Sequence, residues 1–168
     1  MSAALVVVAA DEAAPGAQKP ERHREVKIPG TDILLRPGWQ LFVHDRCRYA
    51  VPESWQPNAD ATLAIAPDGS SVSARTLRVT NWSAHRREIR TAFGHVRAVH
   101  EDSERRLWLE IGDEARVQHY IDVPNGLSVC SVLLELHGGL TPDVEETAKE
   151  VANSVGPAPE NWPPRSIK

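Results

Sequence analysis

Residues 107–136 read LWLEIGDEARVQHYIDVPNGLSVCSVLLEL, and the fold is decided there. Leu107 to Ile111 is a short apolar run, broken by Gly112-Asp113. Ala115 to Val123 resumes it, and Pro124-Asn125-Gly126 turns the chain into Leu127 to Leu136. Runs of this length, rich in branched and aromatic residues and separated by Gly, Asp, Asn and Pro, predict strands joined by tight turns. In the middle run Ala115, Val117, Ile121 and Val123 share one side, while Arg116, Gln118 and Asp122 share the other. That alternation predicts a sheet with one covered face.

Working outward, Val96 to Glu101 adds a strand ahead of these. Before it, Asn81 reads as an N-cap for a helix from Trp82 to about His95. Trp82, Ile89, Ala92, Phe93 and Val96 recur at helical spacing, and Arg86, Arg87 and Arg90 take the opposite side. Thr62 to Ala66 and Ser71 to Val79 flank Pro67-Asp68-Gly69-Ser70, which predicts a hairpin. Upstream of that, Asp32 to Arg36, Trp39 to Val43 and Cys47 to Val51 read as strands. At the far end Thr141 caps a second helix, with Pro142 at its first position and Asp143, Glu145 and Glu146 in its first turn. Its buried stripe is Val144, Ala148, Val151 and Val155. The expected architecture is α+β: a largely antiparallel sheet covered by two helices, in the order hairpins, helix, four strands, helix. Residues 31–155 form the single domain of that reading, between a leader (1–30) and a tail (156–168).

A chain of 168 residues with 41% hydrophobic content suits one globular domain. Its net charge of −4 argues against general nucleic-acid binding, and the sequence contains no apolar run long enough for a spanning helix. Met1 to Ala10, MSAALVVVAA, resembles the end of a secretory signal, with small residues where a peptidase would cut but without a basic start. This favours a periplasmic or secreted protein; the alternative is the ordinary N-terminus of a cytoplasmic one. Residues 11–30 are charged and aperiodic and read as a flexible leader. In the tail, four prolines between 157 and 164 exclude a helix, and Trp162 either folds back onto the body or is offered to a partner.

Cys47 and Cys130 lack the close spacing of zinc or redox motifs. Both fall on the apolar side of their strands. They read as buried thiols or, in an exported chain with those strands adjacent, as one disulfide.

Arg48-Tyr49-Ala50-Val51-Pro52-Glu53-Ser54-Trp55 resembles the strand ending in Pro-x-x-Trp of the PsbP-like superfamily, which includes Mog-type proteins and DcrB- and LpqN-type bacterial envelope proteins. Ala64 to Gly69 with the β-run after it is similar to that group's second hairpin, and Glu145 to Val155 to its terminal helix. The resemblance covers about residues 40–155. It implies an α/β sandwich and a non-enzymatic module that binds a protein, a membrane complex or a small ligand, and it transfers no site residues.

Known catalytic patterns are missing: no phosphate-binding glycine loop and no G-x-S-x-G. His100-Glu101-Asp102-Ser103-Glu104 starts like a zinc-protease helix, but Glu104 stands where the second His belongs. His44-Asp45-Arg46-Cys47-Arg48 sets cations beside a thiol, yet on a strand they point away from it. His119 faces the apolar side of its strand. It reads as a core residue that could join His100 or His137 in a metal site, or Glu101 or Asp122 in a catalytic one, and neither a metal nor a cofactor is expected.

Residues 75–106 hold eight Arg against four acids, whereas 110–160 hold ten acids against two bases. Arg86, Arg87 and Arg90, with Trp162, are therefore the candidate contacts for a protein partner, against the plainer reading of a solvated helix face. The leading expectation is an exported or envelope-associated accessory protein without catalytic activity. A carrier with a pocket between sheet and helices comes second, and an enzyme third.

Overall fold

A computed structural model describes residues 7–8, 26–28, 32–139 and 141–160. In chain order its elements are β1 (Val7–Val8), β2 (Val26–Lys27), β3 (Leu34–Leu35), β4 (Trp39–His44), β5 (Cys47–Pro52), β6 (Gln56–Pro57), β7 (Leu63–Ile65) and β8 (Ser71–Arg78). There follow α1 (Trp82–Ala92), β9 (Val96–Asp102), β10 (Leu107–Gly112), β11 (Arg116–Asn125), β12 (Ser128–His137), α2 (Pro142–Ser154) and β13 (Gly156–Pro157). The class is α+β with antiparallel pairing, as the alternation and short turns require. The strands divide into a seven-stranded sheet ordered β6-β7-β8-β12-β11-β10-β9, a four-stranded sheet ordered β1-β4-β5-β13, and the β2-β3 pair.

Both helices start where the sequence places them. The Asn81 side chain accepts from the Ala84 amide, and the Thr141 hydroxyl from the Val144 amide. The first helix stops at Ala92, short of His95, because Phe93 turns to extended backbone and sets its ring edge-on to Tyr120, with centroids 5.1 Å apart.

Alternation along β10 sends its residues to opposite faces. Leu107, Leu109 and Ile111 pack with Tyr120 beneath Trp82, Ile89 and Phe93 at the first helix. Trp108, Ile121, Cys130, Val132 and Leu134 face the other way, onto Phe42, Tyr49 and Val51 of the small sheet and Ala148, Val151 and Ala152 of α2. The expectation of one covered face is thereby corrected. Asp122, assigned to the open side, is 0% exposed, because α1 covers the end of that face on which Tyr120 and Asp122 lie, while Arg116 stays exposed.

Cys47 and Cys130 are joined in a disulfide with Cα atoms 4.9 Å apart, which links β5 of the small sheet to β12 of the large one. Gln40 of β4 is buried and donates to the carbonyls of Pro52 and Trp55, fixing the Pro-x-x-Trp turn and seating the Trp55 ring in the core. Near the ends, Ile28 is buried with Leu35, Leu41 and Ala50. Gly156 and Pro157 pair with Arg48 and Cys47, and the Ala158 amide donates to the Arg46 carbonyl. The tail thus begins as a strand of the small sheet. Trp162 and all of the signal-like start except Val7–Val8 lie outside the described residues.

Candidate functional site

A groove of about 440 Å³ lies between residues 32–36, the β4-β5 hairpin and α2. Ile33, Leu35, Leu41 and Ala50 supply an apolar floor, since the hairpin carries apolar residues on both of its faces. The charges at its rim are mostly matched: Arg36 lies 3.3 Å from both Glu146 and Glu150, and Asp32 lies 3.0 Å from Lys27. Arg48 is the exception. Its Nε donates to the Pro157 carbonyl (3.0 Å) and its Nη1 to the Ser154 carbonyl (2.9 Å), but no carboxylate of the described residues is within ion-pair distance. Burial pulls its pKa below the ordinary arginine value, while the group stays cationic. Gly156 makes room for it, because a Cβ there would stand 2.9 Å from Nη2. The sequence reading missed Arg48 as a site residue. The signal was the pairing of Leu41 with Ala50 on the parity opposite Phe42 and Tyr49, which shows that Arg48 also lies on a covered face.

The arginine face of the first helix has internal partners. Arg86 lies over the Trp82 ring and donates to Asp102 at the end of β9 (2.6 Å) and to Glu104 in the turn after it (2.5 Å). Arg90 takes the other oxygen of Asp102 at 2.7 Å. Arg87 is exposed and without an acid partner among the described residues. It lines a shallow groove with Ser83, Arg86, Arg90, Thr91 and Asp102.

His119, Glu110 and His100 sit side by side on β11, β10 and β9. Glu110 faces His119 in register, and bulges at two points of the β9-β10 ladder turn both Arg97 and His100 toward Glu110. His100 Nε2 is 2.9 Å from Glu110 Oε2, and Arg97 Nε is 3.5 Å from Oε1. The Trp108 indole donates to His119 Nδ1 at 3.1 Å, and its ring stacks on His100. Burial is the main influence that lowers the His119 pKa to about 4, so the ring is neutral near pH 7. His137 does not join this group, since it is bonded to Glu135. Nor do Glu101 and Asp122: Glu101 is held by Ser103 and Arg106, and Asp122 projects from the other face. The thiol chemistry considered around Cys47 is closed by its disulfide.

Asp122 instead meets His85 of α1, Nε2 to Oδ2 being 2.6 Å. Desolvation raises its pKa above the ordinary carboxylate value despite the hydrogen bonds that favour the charged form. Nothing in the local sequence around His85 signals this pair.

No family model matches the chain, and no curated protein is significantly similar to it in sequence. Among the described residues no helix is long and apolar enough to cross a membrane.

Proposed function

We propose that the chain is a non-catalytic binding protein of an oxidising compartment, periplasmic or secreted, whose groove beside α2 holds a small anionic ligand with an apolar body. One observation carries this reading: Arg48 is a half-buried cation with two carbonyl contacts and no acid partner among the described residues, at the rim of an apolar floor. A desolvated charge without a counter-ion favours a ligand that brings one. The disulfide supports the compartment, since such bonds persist where the surroundings are oxidising. The groove fits the resemblance to PsbP-like ligand- and partner-binding modules as an expectation of the same kind.

The test uses dodecanoate and its uncharged counterpart dodecanol, titrated into the full chain and followed by calorimetry. Binding of the carboxylate in preference to the alcohol, lost in Arg48→Met, supports the reading. Equal binding of both, or no binding, overturns it. Fractionation of the native source, with sequencing of the mature N-terminus, tests the compartment.

A second reading, an accessory protein that docks an acidic segment of a partner, is favoured by Arg87. Native-complex mass spectrometry that finds a stoichiometric partner, released by Arg87→Glu, would support it.

A further inference from the structure

The His100-Glu110-His119 cluster stands apart from the groove residues and does not depend on how the groove is read. We propose that these three side chains are the ligands of one divalent late first-row transition-metal ion, of which zinc is the simplest probe. One donor atom from each residue lies within 4.8 Å of the other two. A single ion with bonds of about 2.0–2.2 Å holds neighbouring donors roughly 3–3.5 Å apart. His100 and Glu110 are already 2.9 Å apart, so rotations of the side chains, without movement of the strands, close the set.

The donor chemistry selects the class of ion. Two imidazoles with one carboxylate suit zinc, copper or nickel, whereas calcium and magnesium require oxygen ligands. Thiolates play no part, because both cysteines are joined in the disulfide. Three protein ligands also leave a coordination position open to water or an external ligand.

The surroundings orient the donors as an outer shell does. Arg97 occupies one oxygen of Glu110 and leaves the other, Oε2, aimed at His100. His119 is buried and Glu110 nearly so, while His100 is a third exposed, so the ion enters from the His100 side. The two bulges of β9 make the arrangement. In an unbroken strand Arg97 and His100 would point to opposite faces, and here both reach Glu110.

The Trp108 bond provides a signature that a chance surface site would lack. The indole is only a donor, so His119 Nδ1 presents its lone pair to it and Nε2 carries the ring proton. If Nδ1 binds the metal, the lone pair is taken. If Nε2 binds, the ring proton moves to Nδ1. Either way the indole loses its acceptor.

The experiment titrates Zn²⁺ into the metal-stripped full chain, with calorimetry for affinity and ¹H–¹⁵N spectra for the indole resonance, which Trp108→Phe identifies. The expected result is one equivalent bound with a shift of the Trp108 indole signal. His100→Gln, at the more exposed position, and Glu110→Gln, which keeps the shape of the side chain, should each weaken binding by about tenfold or more. The double variant His44→Gln/His137→Gln should bind unchanged. Absence of binding, an affinity that survives both ligand variants, or binding that leaves the indole unmoved would overturn the proposal.

Discussion

His85 Nε2 lies 2.6 Å from Asp122 Oδ2, and this contact is the most deeply buried polar tie between α1 and the large sheet. The helix has no fully buried residue of its own, so the tie matters more than a surface pair would. Removing one partner leaves a carboxyl group sealed from water, which costs about 3 kcal/mol or more. His85→Leu should therefore be strongly destabilised in urea. The double variant His85→Leu/Asp122→Leu should be less so, because it leaves no buried carboxyl group without its partner; a double variant as unstable as the single one would contradict this account.

Cys47 and Cys130 are 83 residues apart in sequence. Closing a loop of that length restricts the unfolded chain and stabilises the native one by about 4.5 kcal/mol on the chain-entropy account. Cys47→Ala/Cys130→Ala should lose a comparable amount, measured by denaturant unfolding without reductant. Wild-type protein treated with reductant should move toward the same midpoint.

Glu135 accepts bonds from His137 and Gln118, with Arg116 beside it, and these hold its pKa below the ordinary glutamate value. In the window between its folded value and the ordinary one near 4.3, the unfolded chain binds more protons. The stabilisation is therefore present above that window and is lost as pH falls through the folded value. Glu135→Gln should be less stable than wild type at neutral pH, with the gap narrowing below about pH 4. Unfolding midpoints across a pH series give the comparison.

At Gly156 an added Cβ would press on Nη2 and Cζ of Arg48, both at the movable end of a long side chain. Gly156→Ala should displace the guanidinium, since the side chain rather than the backbone is what gives way. Dodecanoate affinity should fall. Unaltered affinity would show that the position of the cation is immaterial.

The strands and both helices were legible because their signals are local: alternation, turn residues and caps. Asn81 and Thr141 marked the helix starts directly, and Gly112-Asp113 and Asn125-Gly126 marked the turns. What lay beyond reach depended on register between distant segments. Which strands formed which sheet was not written in any one of them. His119 was singled out, but its neighbour Glu110 follows from a cross-strand pairing, and the orientation of His100 follows from a bulge. Arg86 and Arg90 read as open to a partner because Asp102, which both engage, belongs to a strand whose distance from the helix the sequence leaves unstated. The placement of the helices on opposite faces escaped for a related reason. Asp122 looks like a surface residue until a histidine from another element is set against it.

The covalent link between the sheets has an unequal reach. It lies on the side of the long sheet that faces the small sheet and α2, so β5 and β12 cannot part without breaking a bond. The first helix rests on the opposite side, held by half-buried side chains and a few polar contacts. Such a molecule can open like a book with one cover sewn and the other only clipped. Amide protons of residues 84–92 should exchange with solvent well before those of β12, by an excursion that leaves the disulfide-linked body closed.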